Sequence, residues 1–211
     1  MESRFLLSLP LLVASLQAAT LDDLSFSLNG GGYSVTGCNE LASDILEIPS
    51  SYNGLPVTSI GGEALKDCTR LTNISIPNTV TFIGDRAFKG CTSITSATIS
   101  NSLNKIGDGT FEGCTSLTSI RIPSSVTIIG GSVFQGCTAL TNISIPSSVT
   151  VIHGRAFKNC SSLTDIIFEG TTAPTIIAAS GIEYRLFENV PATQIYVPIG
   201  SSESYGSTYG G

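Results

Sequence analysis

The sequence has no tryptophan, one methionine and one histidine, His153. Only 12% of its 211 residues are charged, about half the roughly 25% usual in a soluble domain. Ten Lys and Arg stand against sixteen Asp and Glu. So thin a basic complement excludes a nucleic-acid binder, which needs a clustered basic stripe. It also excludes docking on anionic lipid. One histidine excludes two-histidine metal motifs and leaves a single base for any serine or cysteine nucleophile. No serine sits in a nucleophile-elbow sequence. No catalytic set, cofactor or metal is expected, and the chain reads as a non-enzyme.

Long hydrophobic runs are also missing. The apolar run from Phe5 to Leu16 is short of the roughly 20 residues a bilayer span needs. With Arg4 before it and Ala18-Ala19 after it, the run reads as a secretory signal peptide over residues 1–19. No later stretch would form an integral membrane span. The mature chain is expected outside the cytoplasm, secreted or at the cell surface, as a monomer.

What the chain has in quantity is serine and threonine, 53 residues, arranged with a period. Leu71–Ser93, Ile94–Ser116, Leu117–Ala139 and Leu140–Ser162 align without a gap. Cys68, Cys91, Cys114, Cys137 and Cys160 are 23 residues apart, as are Phe88, Phe111, Phe134 and Phe157. Residues 43–70 form the same unit with five extra residues in the loop Ser50–Pro56, where Asn53-Gly54 is a turn signal. Leu163–Phe168 opens another unit before the register fails; Leu186-Phe187 and Ile195–Pro198 echo it loosely. This divides the chain into an N-terminal cap (20–42), a solenoid (43–168), and a C-terminal cap and tail (169–211).

Within a unit, Leu71, Ile74 and Ile76 face one way and Asn73 and Ser75 the other, the alternation of a strand that Pro77 ends. Asp85–Lys89 is predicted to form one helical or 3-10 turn burying Ala87 and Phe88. Gly90, Gly113, Gly136, Asn159 and Asp67 hold the slot after it, where the backbone turns left-handed. A unit cannot cover its own apolar side chains. Neighbours must, which predicts a repeat solenoid of parallel short strands stacked about 4.8 Å apart.

The pattern Leu-x-x-Ile-x-Ile-Pro-x-x-Val-x-x-Ile-Gly-x-x-Ala-Phe-x-x-Cys closely resembles the BspA-like, or treponemal-type, leucine-rich repeat. Leu71–Cys91 matches it fully. Leu140–Cys160 departs only at His153, and Leu117–Cys137 at Val133. The resemblance implies a leucine-rich repeat coil. It further implies a secreted or surface protein of the kind found in bacteria and some protists, several of which are adhesins.

Five stacked thiols do not have zinc-site spacing. At about 4.8 Å their separation exceeds what a disulfide prefers. All five are expected buried and reduced, with Cys38 outside the column and its partner unassigned. Asp85 and Asp108 would stack about 5 Å apart, the separation of a retaining glycosidase pair. They read more simply as solvated surface acids, with Arg86 beside them. His153 replaces the glycine of other units and reads as a surface residue. The column Thr72, Thr95, Thr118, Thr141 and Thr164 caps the start of each strand; a second outward threonine column, as ice binding would want, is lacking. Asn73, Asn142 and Asn159 head glycosylation sequons, should the secreting cell be eukaryotic.

The candidate ligand-binding face is the outward strand columns: Asn73, Ser96, Ser119 and Asn142, followed by Asp165, and Ser75, Thr98, Arg121 and Ser144. Solenoids bind along such a face. These columns lack aromatic anchors, and Tyr184, Tyr196, Tyr205 and Tyr209 are assigned to the C-terminal cap. The expected partner is an extracellular protein or glycan on a neighbouring surface. The alternative is a structural extracellular protein without a specific ligand.

Overall fold

The strand-forming stretches stack as predicted. The computed structural model describes residues 20–39, 42–177, 186–191 and 194–201. The strands are β1 (Leu24–Asn29), β2 (Gly32–Cys38), β3 (Asp44–Glu47), β4 (Ser51–Tyr52), β5 (Leu55–Ile60), β6 (Leu71–Ser75), β7 (Phe82–Ile83) and β8 (Ser96–Thr98). They continue as β9 (Lys105–Ile106), β10 (Ile128–Ile129), β11 (Asn142–Ile145), β12 (Val151–His153), β13 (Asp165–Phe168), β14 (Thr175–Ile177) and β15 (Gln194–Tyr196). One row of parallel strands comprises β3-β6-β8 and β11-β13-β15. A second comprises β9-β10-β12-β14, with β7 against β5.

The third side of the coil departs from the expected helical turn. Arg86 sits at φ 56° and Gly90 at φ 74°. Two left-handed residues four positions apart prevent a helix from propagating. Alternate amides turn outward to the next unit instead: Arg86, Phe88 and Gly90 N–H donate to the carbonyls of Asp108, Thr110 and Glu112 at 2.8, 3.0 and 2.8 Å. This side is therefore a ladder of tight turns.

Inside, the phenylalanines form one column. Ring centroids are 5.3 Å apart for Phe88–Phe111, 5.9 Å for Phe111–Phe134 and 5.6 Å for Phe134–Phe157. The thiols run beside them. Cys91, Cys114, Cys137 and Cys160 are free and buried, and each Sγ donates to a carbonyl of the preceding turn: Leu65, Phe88, Phe111 and Phe134, at 2.9 to 3.3 Å. A cysteine there fills a small apolar space and also satisfies a buried acceptor.

Cys68 is the exception to the expected reduced column. It forms a disulfide with Cys38. As the first member of the column it has no thiol on the turn before it, and β2 ends there at Cys38. The β1–β2 hairpin lies antiparallel, with β2 running parallel to β5, and places Leu24 and Val35 over the open end of the core. The β4–β5 hairpin turns at Asn53-Gly54, φ 47° and 78°, the two positive angles of the tight turn that Asn-Gly signals.

Threonine hydroxyls reinforce the stack. Thr95, Thr118 and Thr164 Oγ1 donate to the carbonyls of Thr72, Thr95 and Thr141 at 3.2, 3.2 and 3.3 Å. Thr81, Thr127 and Thr150 form a second such column. Their role is to bind turn to turn, where the sequence pointed to capping.

The coil also continues past the point where the sequence register weakens. Phe187 stacks on Phe157 at 5.7 Å. Asn189 takes the left-handed slot at φ 57° and donates from Nδ2 to Asn159 Oδ1 at 2.7 Å. A seven-residue lengthening of this turn, 30 residues instead of 23, hides the repeat from the sequence. The expected signal peptide (1–19), Tyr184, Tyr205 and Tyr209 lie outside the described residues.

Candidate functional site

Alternation along the first row decides what faces solvent. The inward set, Ile74, Ala97, Ile120, Ile143 and Ile166, is buried. Its neighbours therefore point out, and parallel pairing aligns them: Asn73 with Ser96 and Ser75 with Thr98, then Asn142 with Asp165 and Gln194, and Ser144 with Ile167 and Tyr196. Ser96, Thr98, Ser119, Arg121 and Asn142 are exposed; Asn73, Ser75 and Ser144 are half-buried.

Two features of this face differ from expectation. The turn carrying Ser119 and Arg121 is not a strand, and it separates the two three-stranded sheets. Thr118 N–H still donates to Thr95 O at 3.1 Å, but Ser119 to Ile122 donate no backbone bond. Nothing in the local sequence, Leu117–Pro123, explains the interruption.

The second difference is Tyr196. It belongs to this face, not only to a cap, so the face does hold an aromatic side chain. Tyr196 is 48% exposed and Ile167 beside it 41%. The Tyr196 hydroxyl donates to Gln194 Oε1 at 3.1 Å, and the nearby Asp165 carboxylate raises the phenol above its usual pKa. At the other end, Ile45 pairs with Asn73 and is 49% exposed. The face thus has a polar middle and an apolar residue toward each end. Ile45 occupies the Asn73 position of its unit, and Ile195–Pro198 echoes the repeat; these were the sequence signals for both ends.

Local hydrogen bonds hold the polar middle. Asn73 Oδ1 accepts from Ser96 Oγ at 2.5 Å. Asn142 Nδ2 donates to Thr141 Oγ1 at 3.1 Å, and Ser144 Oγ to Glu169 Oε1 at 2.5 Å. Thr164 Oγ1 donates to Asp165 Oδ2 at 2.7 Å. Of the sequon asparagines, Asn142 is exposed on this face, while Asn159 is tied to Asn189.

The carboxylates Asp85 and Asp108 serve the coil. Asp108 N–H donates to Asp85 Oδ1 at 2.9 Å, and Gly131 N–H to Asp108 Oδ1 at 3.1 Å. Each carboxylate thus satisfies an amide of the next turn. Arg86 does not neutralise the pair; it reaches Glu63 at 3.7 Å, while Lys105 lies 3.9 Å from Asp108. Among the described residues no three His, Cys, Asp or Glu gather as metal ligands. No helix among them is long and apolar enough to cross a membrane.

Repeat, coil and inward column together define a leucine-rich repeat protein. The chain belongs to the BspA type leucine-rich repeat family, which matches residues 58–189 in six copies. It is similar to a leucine-rich repeat protein of T. pallidum, 26% identical over 86% of each chain with a TM-score of 0.67. A leucine-rich cell surface protein of Faecalibacterium prausnitzii is 32% identical over 71% of this chain, TM-score 0.66. A leucine-rich repeat protein of Bacteroides ovatus is 28% identical over 86% of this chain, TM-score 0.63. The chain spans 39% and 55% of the last two proteins' lengths. Among curated proteins the sequence has no significant match.

Proposed function

We propose that the chain is a secreted or cell-surface recognition module. Its first-row face, from Ile45 and Asn73 through Arg121 to Tyr196, would bind a protein or glycan on a neighbouring surface. The observation that carries this reading is the register Ser144–Ile167–Tyr196, which sets an exposed aliphatic and an exposed tyrosine side by side at the end of a polar strip. Tyrosine and arginine are the side chains that most often dominate binding energy. Extracellular placement is supported by the Cys38–Cys68 bridge, since disulfides persist in oxidising compartments, and by the cell-surface description of the Faecalibacterium relative.

The test is binding of the purified protein to an array of extracellular matrix proteins and glycans. Tyr196→Ala, Arg121→Glu and Ser75→Arg should each weaken retention on the array without changing the circular dichroism spectrum. If all three variants bind like the parent, this face is not the site, and a structural coil without a specific ligand becomes the better reading.

A further inference from the structure

In a repeat coil, side chains that the fold demands recur every turn. Departures are informative where they converge, and two of them, Gly109 and His153, converge on the tight-turn side, away from the first-row face. Gly109 stands in the column of Arg86, Ser132 and Arg155. Gly131 lies between them, in a column where the acids Asp85 and Asp108 give way to Gly131 and Gly154. His153 follows Gly84, Gly107 and Gly130. All three line one open groove of about 390 Å³, with Arg86, Asp108, Glu112 and Arg155 among its walls.

The fold does not require these departures. Arg86, Ser132 and Arg155 hold φ of 56°, 55° and 62° with full side chains, so Gly109 at φ 61° answers no need of the backbone. A Cβ at Gly131 would make only ordinary contacts, 3.5 Å from Gly154 O and 3.8 Å from His153 Cβ. His153 is coupled to it. At Gly107 and Gly130 a Cβ would come within 2.9 and 2.5 Å of the Asp85 and Asp108 carboxylates, which cap the following turn. At Gly130 and Gly84 a Cβ would also come within 2.9 and 2.4 Å of the preceding turn's backbone, so room for an imidazole at 153 needs both the missing carboxylate and a backbone set further back. The floor at Gly131 carries no carboxylate, and a ring stands at the rim.

We propose that this groove is a second binding site, for a short, neutral, hydroxyl-rich chain, that is, an oligosaccharide segment. Its volume is that of a small-ligand site. Its walls alternate donors and acceptors, Arg86, Ser132, Gln135 and His153 with Asp108 and Glu112, over glycines that let the ligand approach the backbone. The carboxylates already face cations, Glu112 with Lys89 at 3.0 Å and Asp108 with Lys105 at 3.9 Å. An ionic ligand would have to displace those pairs, whereas a polyol adds hydrogen bonds to them. With Ile177 as the apolar edge and the His153 imidazole as the one aromatic ring among the described walls, the expected affinity is about millimolar.

The experiment is an NMR titration of the isotope-labelled protein with maltotriose, cellotriose and N,N′,N″-triacetylchitotriose at about 10 mM, where a millimolar complex is mostly formed. At least one should shift the Gly109, Gly131 and Gly154 amides. Gly109→Arg, which copies Arg86 and Arg155, should weaken that binding about tenfold or more. The double variant Gly131→Asp/His153→Gly, which restores the arrangement of earlier turns, should do the same. The double variant should keep the parent's melting temperature, because two earlier turns already carry that arrangement. Gly109→Arg, whose Cβ comes 3.0 Å from Arg86 Cγ, should keep the parent's circular dichroism spectrum while melting somewhat lower. The proposal is overturned if none of the three trisaccharides moves these amides. It is also overturned if the shifts survive in both variants, or if a Lys-Asp-Lys peptide shifts them at lower concentration than every sugar.

Discussion

Phe187 stacks on Phe157 at 5.7 Å with the ring planes 18° apart, although 30 residues separate them where every earlier pair is separated by 23. The lengthened connection leaves the column intact, so the interior dictates where the chain must return.

Truncating this column should therefore cost most where it is covered on both sides. Phe134→Ala should lower unfolding free energy by about 4 kcal/mol. Phe187→Ala, only partly buried, should lower it by about 2 kcal/mol. Urea unfolding followed by far-ultraviolet circular dichroism measures both, and equal losses would mean that the last ring is as enclosed as the middle one.

The Cys38–Cys68 bridge closes a loop with a sequence separation of 30. Replacing both residues by serine should destabilise the protein by about 3 kcal/mol, and reductant should lower the parent's melting temperature but not the variant's. Mass spectrometry of the unreduced protein should show one bridge joining the peptides that hold these two residues.

The four buried thiols make stability sensitive to alkali. Burial, the largest cause, pushes Cys91 and Cys160 up to about 12 and raises Cys114 and Cys137 as well. Below the ordinary thiol value both folded and unfolded chains are protonated, and stability is at its full value. Above about 9 the unfolded chain ionises first, so stability falls by about 1.4 kcal/mol per pH unit per thiol until the folded pKa is reached. The slope of unfolding free energy between pH 9 and about 11 should shrink in Cys137→Ala. Below pH 8, native protein should react slowly with a maleimide until it is unfolded.

The unpaired turn at the centre of the first-row face should exchange its amides sooner than its neighbours. Ser119 to Ile122 should lose hydrogen–deuterium protection before Asn142 to Ile145, which pair with the next turn. Equal protection in the two stretches would show that the interrupted ladder closes in solution.

The solenoid was legible because its period holds without a gap through four successive units: phenylalanines and cysteines 23 apart admit few arrangements other than a stack. What escaped were features that depend on more than one turn at once. Cys38 lies in a hairpin with no repeat partner, so its pairing with Cys68 carried no spacing signal. Tyr196 followed a lengthened turn and looked like part of a cap until β13 and β15 aligned. The polar columns themselves were readable from alternation alone, whereas the groove needs Gly109, Gly131 and His153 seen from three successive turns together. The tight turns replaced a predicted helix because Arg86 is left-handed, a conformation its side chain does not advertise.

The hydroxyl-to-carbonyl bonds of Thr95, Thr118 and Thr164 each join a residue to the one 23 places earlier. Excising or duplicating one whole period would leave every such pair with an equivalent mate, while losing a single residue would put all later pairs out of step. Genetic slippage in whole multiples could thus lengthen or shorten the molecule without redesigning any contact. Its reach is adjustable in a way that few globular proteins permit.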